Sequence, residues 1–411
     1  MTDGSDSVKT LILAPWAVVE DGVIVEAAAV WVEGDKIGGW ARADGVDRKD
    51  YDQVVELDHC VLSPGWLNAH THWDYGFLRG NWPRGGSFIE WLQQMVEVKR
   101  RADRAAVSEA MVNSAEESLR SGCTTVLTIC SFPEWIPDAF QAAPRTIWAI
   151  EWIDFLQPIA ADFLEERMSE YMRRVVNFHH SIAISPHAPY TASPDLYRMA
   201  LDWASRYNVI CTTHLAESEA EWKMWTEGDG EMSEWLSGRF WWQWTVGQTP
   251  VSSLVQSGGM TGGMLIAHGN YLCCEDYAWL KRYDATVVHC PRCHGFFGHQ
   301  DFDWESYRRS EINVCVATDS LASTSSLDLR GELFYLKQQN PEWSERELWR
   351  SVTLYPARGL RLADCCGRIS AGLNADLVAF PLRKELEPWS FIYEENETVS
   401  WVMMGGKISV I

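Results

Sequence analysis

The chain has 411 residues, of which 46% are hydrophobic and 22% are charged, and this composition is typical of a globular protein rather than a disordered one. Its 35 Lys and Arg residues against 57 Asp and Glu residues give a formal net charge of −22. Because no basic run for phosphate binding accompanies that charge, the sequence argues against nucleic acid and anionic membranes as partners.

The first residues, MTDGSDSVKTLILAPWAVVEDG, lack the features of a signal peptide. They are acidic before a short apolar run, and Pro15 interrupts that run. No later segment is long and apolar enough to predict a transmembrane helix. The eleven cysteines are scattered and indicate no disulfide framework, so we expect a reduced, cytoplasmic protein.

The two ends of the chain have similar patterns. Residues 1–63 contain short strands separated by turn signals, and residues 369–411 contain comparable strands, such as ETVSWVMMGGKISVI. We predict that the two segments meet in one small β-sandwich, which lies beside the domain formed by the residues between them.

Residues 64–368 alternate between strand-like and helix-like segments. Helical periodicity occurs in SFIEWLQQMVEVKRRADRAAV and SPDLYRMALDWASRY, for example. Near-continuous apolar runs predict parallel strands that are buried on both faces. The pattern therefore predicts an α/β fold, a (β/α)₈ barrel of the TIM type, in preference to an open sheet. The eight predicted strands are GWLNAHTH, TTVLTIC, RTIWAIEWID, SIAISPHAP, VICTTHLAE, GMLIAHGNYL, ATVVHCPR and INVCVATDS.

Polar residues stand where several of these strands end, which is where barrel enzymes carry their catalytic groups. His70 and His72 are two residues apart, so both side chains point to the same side of the first strand. The fifth strand ends at His214, the sixth at His268 and the eighth at Asp319. A lone histidine is more often part of a core, but imidazoles and a carboxylate together form the ligand set of a divalent transition metal.

The order of these motifs (HxH, HxxE, H and D) resembles that of the amidohydrolase superfamily over nearly the whole chain, with PGWLNAHTH at the start and GLNADLVAF near the end. The segments SPHAPYTAS, HLAESEAE, VVHCPRC and ATDSLAS are similar to those of cytosine deaminase-like and chlorohydrolase-like aminohydrolases. That group acts on nucleobases, nucleosides and triazines. The segment GGSFIEWLQQMVEVKR further resembles bacterial aminodeoxyfutalosine deaminases.

The resemblance implies one divalent metal ion, Zn²⁺ in preference to Fe²⁺. Related two-metal enzymes bridge their ions with a carboxylated lysine or an acidic residue at a strand end. The fourth strand here ends in ISPHAPY without such a residue, although Glu151 and Asp154 after the third strand remain candidates for a bridge. The predicted metal ligands are His70, His72, His214 and Asp319.

The leading hypothesis is hydrolytic deamination of a nucleoside- or nucleobase-like heterocycle, such as aminodeoxyfutalosine or adenosine. Asp319 would orient the attacking water and take its proton, Glu217 would protonate the ring nitrogen, and His268 would hydrogen-bond the tetrahedral centre. We expect a small heterocyclic molecule and water as substrates, and a homodimer or higher oligomer. The candidate substrate contacts are His187, Trp73, Asp74 and Ser320.

Two other hypotheses remain open. The same metal site suits a triazine-type chloro- or N-alkylamino-hydrolase or an amidase, because specificity depends on the pocket. Retention of the acid Glu217 favours an amine, which needs a proton to leave, over a halide, which does not. The other class is a metal-free barrel that serves as a binding scaffold, and such a barrel would be expected to lack some of the ligands.

The stretch VVHCPRCHGFFGH, residues 287–299, is a second candidate for zinc binding. A structural zinc site needs a second ligand pair, which does not follow, and zinc deaminases of the cytidine type need an H-x-E motif, which the chain lacks. We therefore predict that this stretch is a wall of the pocket and that the metal lies elsewhere. Cys290 and Pro291 would form the turn after the seventh strand, and Cys293 and His294 stand where relatives usually have Ser and Asn.

A tryptophan-rich segment follows the fifth strand. Most of its indoles are expected in helix packing or at a subunit interface, but a loop at this position would also be able to cover the barrel mouth and stack on a flat substrate. The segment contains Trp222, Trp225, Trp235, Trp241, Trp242 and Trp244.

Overall fold

A computed structural model of the chain describes residues 8–80, 86–137, 140, 143–176, 181–242, 245–383 and 387–409. The chain begins with a group of strands in which β1 pairs with β2 antiparallel and with β4 and β5 parallel. Short 3₁₀ turns at Ala43–Gly45 and Arg48–Asp50 separate the third strand from the fourth. These strands are β1 (Lys9–Val19), β2 (Val23–Glu33), β3 (Lys36–Arg42), β4 (Gln53–Glu56) and β5 (Cys60–Pro64).

The middle of the chain forms a closed barrel of parallel strands. Each of the eight predicted strand segments contains an observed strand, and the eighth continues from β13 into β14. Every residue of β6 and β7 is buried, as expected for parallel strands covered on both faces. The strands are β6 (Trp66–His72), β7 (Cys123–Cys130), β8 (Arg145–Trp152), β9 (Ser181–Pro186), β10 (Thr212–Leu215), β11 (Leu265–His268), β12 (Thr286–His289), β13 (Asn313–Val316) and β14 (Asp319–Ser320).

Strand pairing closes the barrel. The hydrogen-bonded orders are β14-β6-β7-β8-β9 and β10-β11-β12-β13. A parallel bridge between Ile184 and Cys211 joins the two groups at one side. At the other side Asp319 pairs with Thr71, which brings the end of the eighth strand beside the first. All the strand ends that carry polar residues therefore meet at one mouth.

Helices connect the barrel strands, and side-chain caps begin many of them. Ser193 and Ser218, for example, each accept a hydrogen bond from a backbone N–H in the first turn of the following helix. The predicted helical segment after the first strand is two helices, because Asp103 caps a new helix by accepting from the N–H of Ala106. The helices are α1 (Phe88–Arg101), α2 (Arg104–Arg120), α3 (Ala161–Val176), α4 (Pro194–Tyr207), α5 (Glu219–Glu227), α6 (Glu231–Leu236), α7 (Pro250–Gln256), α8 (Cys274–Arg282), α9 (Pro291–Phe297), α10 (Trp304–Arg309), α11 (Leu329–Gln339), α12 (Glu345–Ser351) and α13 (Leu354–Gly359).

The last strands return to the first ones. β15 (Leu377–Pro381) pairs antiparallel with β5, and β16 (Trp401–Met404) and β17 (Lys407–Ser409) extend the same sheet. Its order is β17-β16-β15-β5-β1-β2-β3, with β4 on β1. The two ends of the chain thus meet in one sheet, around a core that includes Val30, Leu62 and Leu377.

In the ranges described, none of the helices combines the length and the apolar character needed to cross a lipid bilayer.

Candidate active site

Histidines from three strands gather at the mouth of the barrel. His70 and His72 lie on β6, where their spacing of two places both on the same side, while His214 lies on β10 and His268 ends β11. The ring centroid of His70 is 5.1 Å from that of His72, 5.0 Å from that of His214 and 5.6 Å from that of His268. All four side chains are buried. The structure therefore brings together the imidazoles that the sequence placed on separate strands.

The backbone at the strand ends is left-handed at three residues that are not glycine. The φ angles are 53° at Ala216, 74° at His268 and 58° at Asp319. Each such conformation costs on the order of 1–3 kcal/mol and persists only where the surroundings enforce it. Two of the three residues carry side chains of the cluster, so the turns position the polar groups at the mouth.

The cluster brings potential ligand atoms close together. Oδ1 of Asp319 lies 3.5 Å from Nε2 of His70 and 3.6 Å from Nε2 of His72, and Nε2 of His214 lies 3.4 Å from Nε2 of His72. In the described residues, two groups have ligand atoms within 4.8 Å of one another: His70 with His214 and His268, and His70 with His72 and Asp319. Both groups share His70, so His268, which was not predicted as a ligand, belongs to one group of possible ligand atoms.

Unpartnered nitrogens in this cluster fit a metal ion. Both ring nitrogens of His70 and Nδ1 of His72 are buried and have no hydrogen-bond partner among the described residues. Nδ1 of His214 donates to the carbonyl oxygen of His187 at 3.0 Å, which leaves Nε2 with its lone pair toward the cluster. Burial lowers the pKa of His72 to about 3 and that of His214 well below its usual range, so both rings are neutral, as metal ligands must be.

Asp319 is held in place by neighbours that the sequence analysis did not identify. Ser323 donates to Oδ2 at 3.0 Å, and the hydroxyl of Thr71 donates to the backbone carbonyl of Asp319 at 2.8 Å. Burial opposes the negative charge, but the imidazoles of His70 and His72 hold the pKa of Asp319 well below its usual range. Oδ1 is therefore a charged atom that faces the histidines. The sequence did contain a signal for this contact, namely the serine four residues after Asp319 in ATDSLAS.

Glu217 follows β10 and lies beside the cluster. Its Oε1 is 3.5 Å from Nε2 of His268. Its backbone is fixed on both sides, because its N–H donates to Glu221 at 2.8 Å and its carbonyl oxygen accepts from Asn270 at 2.9 Å. Burial, together with the charges of Asp319 and Glu221, raises the pKa of Glu217 well above its usual range. The side chain is therefore a protonated acid that is able to donate.

A cavity opens above these residues, with about 770 Å³ of space between the surrounding atoms, including its mouth. Its base is polar and contains His72, His214, Glu217, His268 and Asp319. Its outer walls are apolar, which suits a flat organic ligand better than a small ion alone. The apolar lining comes from α1, from the loop after β8 and from α6, and consists of Trp91, Leu92, Met95, Val96, Ile153, Phe155 and Trp235.

The tryptophan-rich segment divides between core and cavity. Trp235 on α6 lines the cavity, so this segment contributes to the cavity wall. Trp225 is 4% exposed and packs in the core between the segment and α1. Trp241 is 38% exposed and donates to the carbonyl oxygen of Asp154 at 2.6 Å. Trp244 lies outside the described residues.

Two of the four predicted substrate contacts line the cavity, namely His187 and Ser320. Trp73 does not. It is fully buried, donates from its indole to Ser118 at 3.2 Å and packs against Trp148 with 5.6 Å between ring centroids. The physical reason is that the chain enters a 3₁₀ helix, Trp73–Leu78, directly after β6, which turns the indole into the core behind the strand. The expected stacking of Trp73 on the substrate is therefore wrong.

Asp74 is also absent from the cavity lining, contrary to the expectation. Its Oδ2 accepts from the backbone N–H of Ser131 at 2.7 Å, and burial raises its pKa to about 7. Tyr75, the next residue, lines the cavity instead and stacks on His72 with 5.1 Å between centroids and an interplanar angle of 6°. Sequence reasoning missed Tyr75, although it lies only three residues after His72.

A second group of polar side chains in the cavity wall was not predicted as a unit. Oε2 of Glu151 accepts from Nζ of Lys99 at 2.8 Å and from the hydroxyl of Ser131 at 2.6 Å. Because that hydroxyl donates to Glu151, it accepts from Tyr75, whose oxygen is 2.9 Å away. Burial opposes the charge of Glu151, but Lys99 lowers its pKa to about 2. These contacts explain why Glu151 is charged although it is buried.

Neither proposed bridging acid belongs to the groups of ligand atoms found in the described chain. Glu151 is engaged by Lys99. Asp154 accepts from the backbone N–H and the hydroxyl of Ser193, both at 2.7 Å, and so holds the start of α4.

No residue of the stretch 287–299 is among those that line the cavity, but Phe297 packs against Trp91, which does, with 5.2 Å between ring centroids, so the stretch lies behind this part of the wall. Cys290 precedes α9 and Cys293 lies in its first turn, and both are 1% exposed. Burial raises the pKa of both thiols well above the usual range, and neither belongs to the groups of possible metal-ligand atoms found in the described residues. His294 contacts Asn270 at 3.1 Å and the carbonyl oxygen of Gln300 at 2.7 Å.

Comparison with known proteins agrees with this geometry. A family model described as the amidohydrolase family matches residues 61–409. A 5-methylthioadenosine/S-adenosylhomocysteine deaminase from Pyrococcus abyssi is 27% identical over 369 residues, covering 87% of this chain and 81% of the relative. These matches confirm the predicted resemblance.

Solved structures confirm the predicted fold. An adenosine deaminase from Xanthomonas campestris with bound zinc superposes with a TM-score of 0.83 at 22% identity, covering 98% of this chain and 93% of its own. An aminofutalosine deaminase from Helicobacter pylori in complex with methylthio-coformycin also gives a TM-score of 0.83, at 20% identity, covering 98% of this chain and 100% of its own.

Proposed function

Because the chain belongs to the amidohydrolase family, we propose that it hydrolyses the C–N bond of an amino group on a nucleoside-like heterocycle and releases ammonia. The observation that carries the proposal is the placement of Glu217, a buried protonated acid, beside a cluster of neutral imidazoles and one charged carboxylate. The relative from Pyrococcus abyssi is named as a deaminase of adenosine derivatives, which supports the purine-type substrate.

We assign one metal ion to His70, His72, His214 and Asp319. Three imidazoles and one carboxylate suit Zn²⁺, and the zinc in the Xanthomonas campestris structure supports Zn²⁺ over Fe²⁺. When bound, a divalent ion supplies Lewis acidity, which makes water acidic enough to act as a nucleophile near neutral pH.

The side chains around the cavity move the protons of the reaction. Asp319 orients the attacking water through Oδ1 and takes its proton. Glu217 donates its proton to the ring nitrogen next to the attacked carbon, which makes the ring electrophilic. His268, 3.5 Å from Glu217, hydrogen-bonds the developing tetrahedral centre. Water adds to the carbon, and Glu217 then takes the hydroxyl proton of the tetrahedral centre and passes it to the amino group. The C–N bond breaks, ammonia leaves, and the proton held by Asp319 restores Glu217.

The protonated Glu217 also indicates which leaving group the site favours. An amine leaves only after protonation, whereas chloride leaves without it, so the protonated Glu217 favours deamination over dechlorination. His187 and Ser320 line the cavity and are assigned to the substrate on that ground.

The test is ammonia release from a panel of compounds by the zinc-loaded protein. The panel contains adenosine, 5′-methylthioadenosine, S-adenosylhomocysteine, aminodeoxyfutalosine, adenine, cytosine and a chlorinated triazine. We expect ammonia from at least one nucleoside. Chloride release without ammonia release would favour the triazine-type hydrolase instead.

Elemental analysis of protein purified without chelator tests the metal separately. We expect close to one equivalent of a transition metal. Less than about a tenth of an equivalent, not restored by added Zn²⁺ or Fe²⁺, would contradict the metal site and favour a binding scaffold.

A further inference from the structure

The cavity has a second charged side chain that the proposed reaction does not use. Glu151 is 4% exposed in its side chain and comes from β8, whereas Glu217 follows β10. Its partners come from two other elements, Lys99 from α1 and Ser131 from the end of β7. In the order of the barrel strands, only β9 separates β8 from β10, and both Glu151 and Glu217 line the cavity. A substrate that fills the cavity is therefore able to contact both carboxyl groups.

The two oxygens of Glu151 differ in their contacts. Oε2 accepts from both Lys99 and Ser131, which fixes the carboxylate in one orientation. Oε1 accepts no hydrogen bond from the described residues. It is not one of the fully buried atoms that lack a partner, so it is accessible. Since Glu151 lines the cavity, Oε1 is open to a ligand. A purely structural role, in which Glu151 links α1 to the barrel through Lys99, accounts for the contacts of Oε2 but not for the open acceptor Oε1.

The charge on Glu151 is maintained by Lys99, which lowers its pKa to about 2 despite burial. The carboxylate is therefore only an acceptor at neutral pH, and Oε1 keeps free acceptor capacity at the cavity wall. A ligand that displaces water from Oε1 without donating a hydrogen bond would lose that interaction, so the cavity favours ligands that bring N–H or O–H groups to this wall. Polar side chains such as His187 and Thr191 also line the cavity, but no described residue donates a hydrogen bond to Oε1.

We propose that Glu151 is a specificity-determining residue that accepts hydrogen bonds from hydroxyl groups on a sugar-like substituent of the substrate. Lys99 and Ser131 act as positioning residues for its carboxylate. The inference rests on the proposed function and narrows it to nucleosides with free hydroxyl groups, in preference to free nucleobases and triazines. It also assigns a role to Glu151, Lys99 and Ser131, which take no part in the proposed deamination steps.

The test compares kcat/KM for the best nucleoside of the panel with that for its 2′,3′-dideoxy analogue. We expect wild-type protein to favour the hydroxylated compound by roughly 10- to 100-fold, the range for hydrogen bonds to a charged group. Glu151→Gln should lose most of this preference through a higher KM for the hydroxylated compound. Its kcat/KM for the dideoxy analogue should stay within about threefold of wild type.

Glu97→Gln is the matched control, because Glu97 lies on the same helix as Lys99, is 46% exposed and pairs with Arg101 at the surface. Glu97→Gln should leave kcat/KM unchanged for both compounds. Equal losses on both substrates in Glu151→Gln would show a purely structural role and overturn the proposal, and so would unchanged kinetics on both.

The wild-type comparison needs no variant, so it remains decisive if Glu151→Gln fails to fold. Equal kcat/KM for the two compounds on wild-type protein would overturn the role of Glu151 and leave deamination intact. Absence of ammonia from every compound would overturn the proposed function itself, together with this inference. The two failures are thus distinguishable.

Discussion

Replacing Lys99 by Met would remove one half of a buried ion pair and keep most of the volume of its stem. Nζ of Lys99 is 2.8 Å from Oε2 of Glu151, and the two side chains are 25% and 4% exposed. Lys99 holds the pKa of Glu151 at about 2 against its ordinary value of 4.5. Since one pKa unit corresponds to about 1.4 kcal/mol, this net difference, to which His187 and Ser131 also contribute, corresponds to roughly 3 kcal/mol of unfolding free energy. We expect Lys99→Met to lose about that amount near neutral pH.

The loss should depend on pH in a defined direction. The pKa of Glu151 is lower in the folded protein than in the unfolded chain, so its contribution to stability is fully present above pH 4.5 and disappears as the pH falls toward 2. Without Lys99, burial raises the pKa of Glu151, and the carboxylate takes up a proton instead of remaining charged. The difference between wild type and variant should therefore be largest near pH 7 and shrink in acid.

Urea unfolding followed by tryptophan fluorescence, at about pH 7 and about pH 4, measures both effects. Arg101→Met is the matched control, since Arg101 pairs with Glu97 on the same helix but is 78% exposed. It should cost less than about 1 kcal/mol. A loss below about 1 kcal/mol in Lys99→Met, or a loss of equal size at both pH values, would refute the assigned coupling.

Three further predictions concern residues with contrasting roles. Glu217→Gln should keep the metal and the fold but lose roughly 10² to 10⁴ in kcat, because it removes a proton donor; loss of the metal would contradict this role. His70→Ala should empty the metal site in elemental analysis, whereas the double variant Cys290→Ser, Cys293→Ser should keep its metal, and the reverse result would move the site to the cysteines. Trp73→Ala should lower the unfolding free energy by about 3–5 kcal/mol with little change in KM, since the indole packs in the core; a raised KM in a stable protein would restore the stacking role.

The predicted barrel and the gathering of its histidines rest on two strong regularities. Side chains two apart on a strand share a side, and the carboxyl ends of barrel strands share a mouth, so His70, His72, His214 and His268 were bound to meet once the strands were identified. Asp319 follows the same logic at the end of the eighth strand. None of these placements required knowledge of the loops.

Residues beyond the strand ends were harder to place, because the direction of the chain there depends on the local turn. Trp73 and Asp74 are adjacent to His72 in sequence, yet a 3₁₀ helix turns both away from the cavity. Lys99 was missed for another reason, although a signal existed. Trp91, Met95 and Lys99 are spaced by four and share one face of α1, so the apolar stripe that lines the cavity ends in a lysine.

The pairing of β5 with β15 has a consequence for the synthesis of the chain. β5 ends at Pro64 and its partner begins at Leu377, so 377 − 64 = 313 positions separate the paired residues. At about 5–20 residues per second, a ribosome takes roughly 15–60 s to cover that distance. Throughout this interval one edge of β5 has unpaired backbone groups that are able to join another nascent chain. We therefore expect newly made chains to depend on chaperones until β15 has emerged.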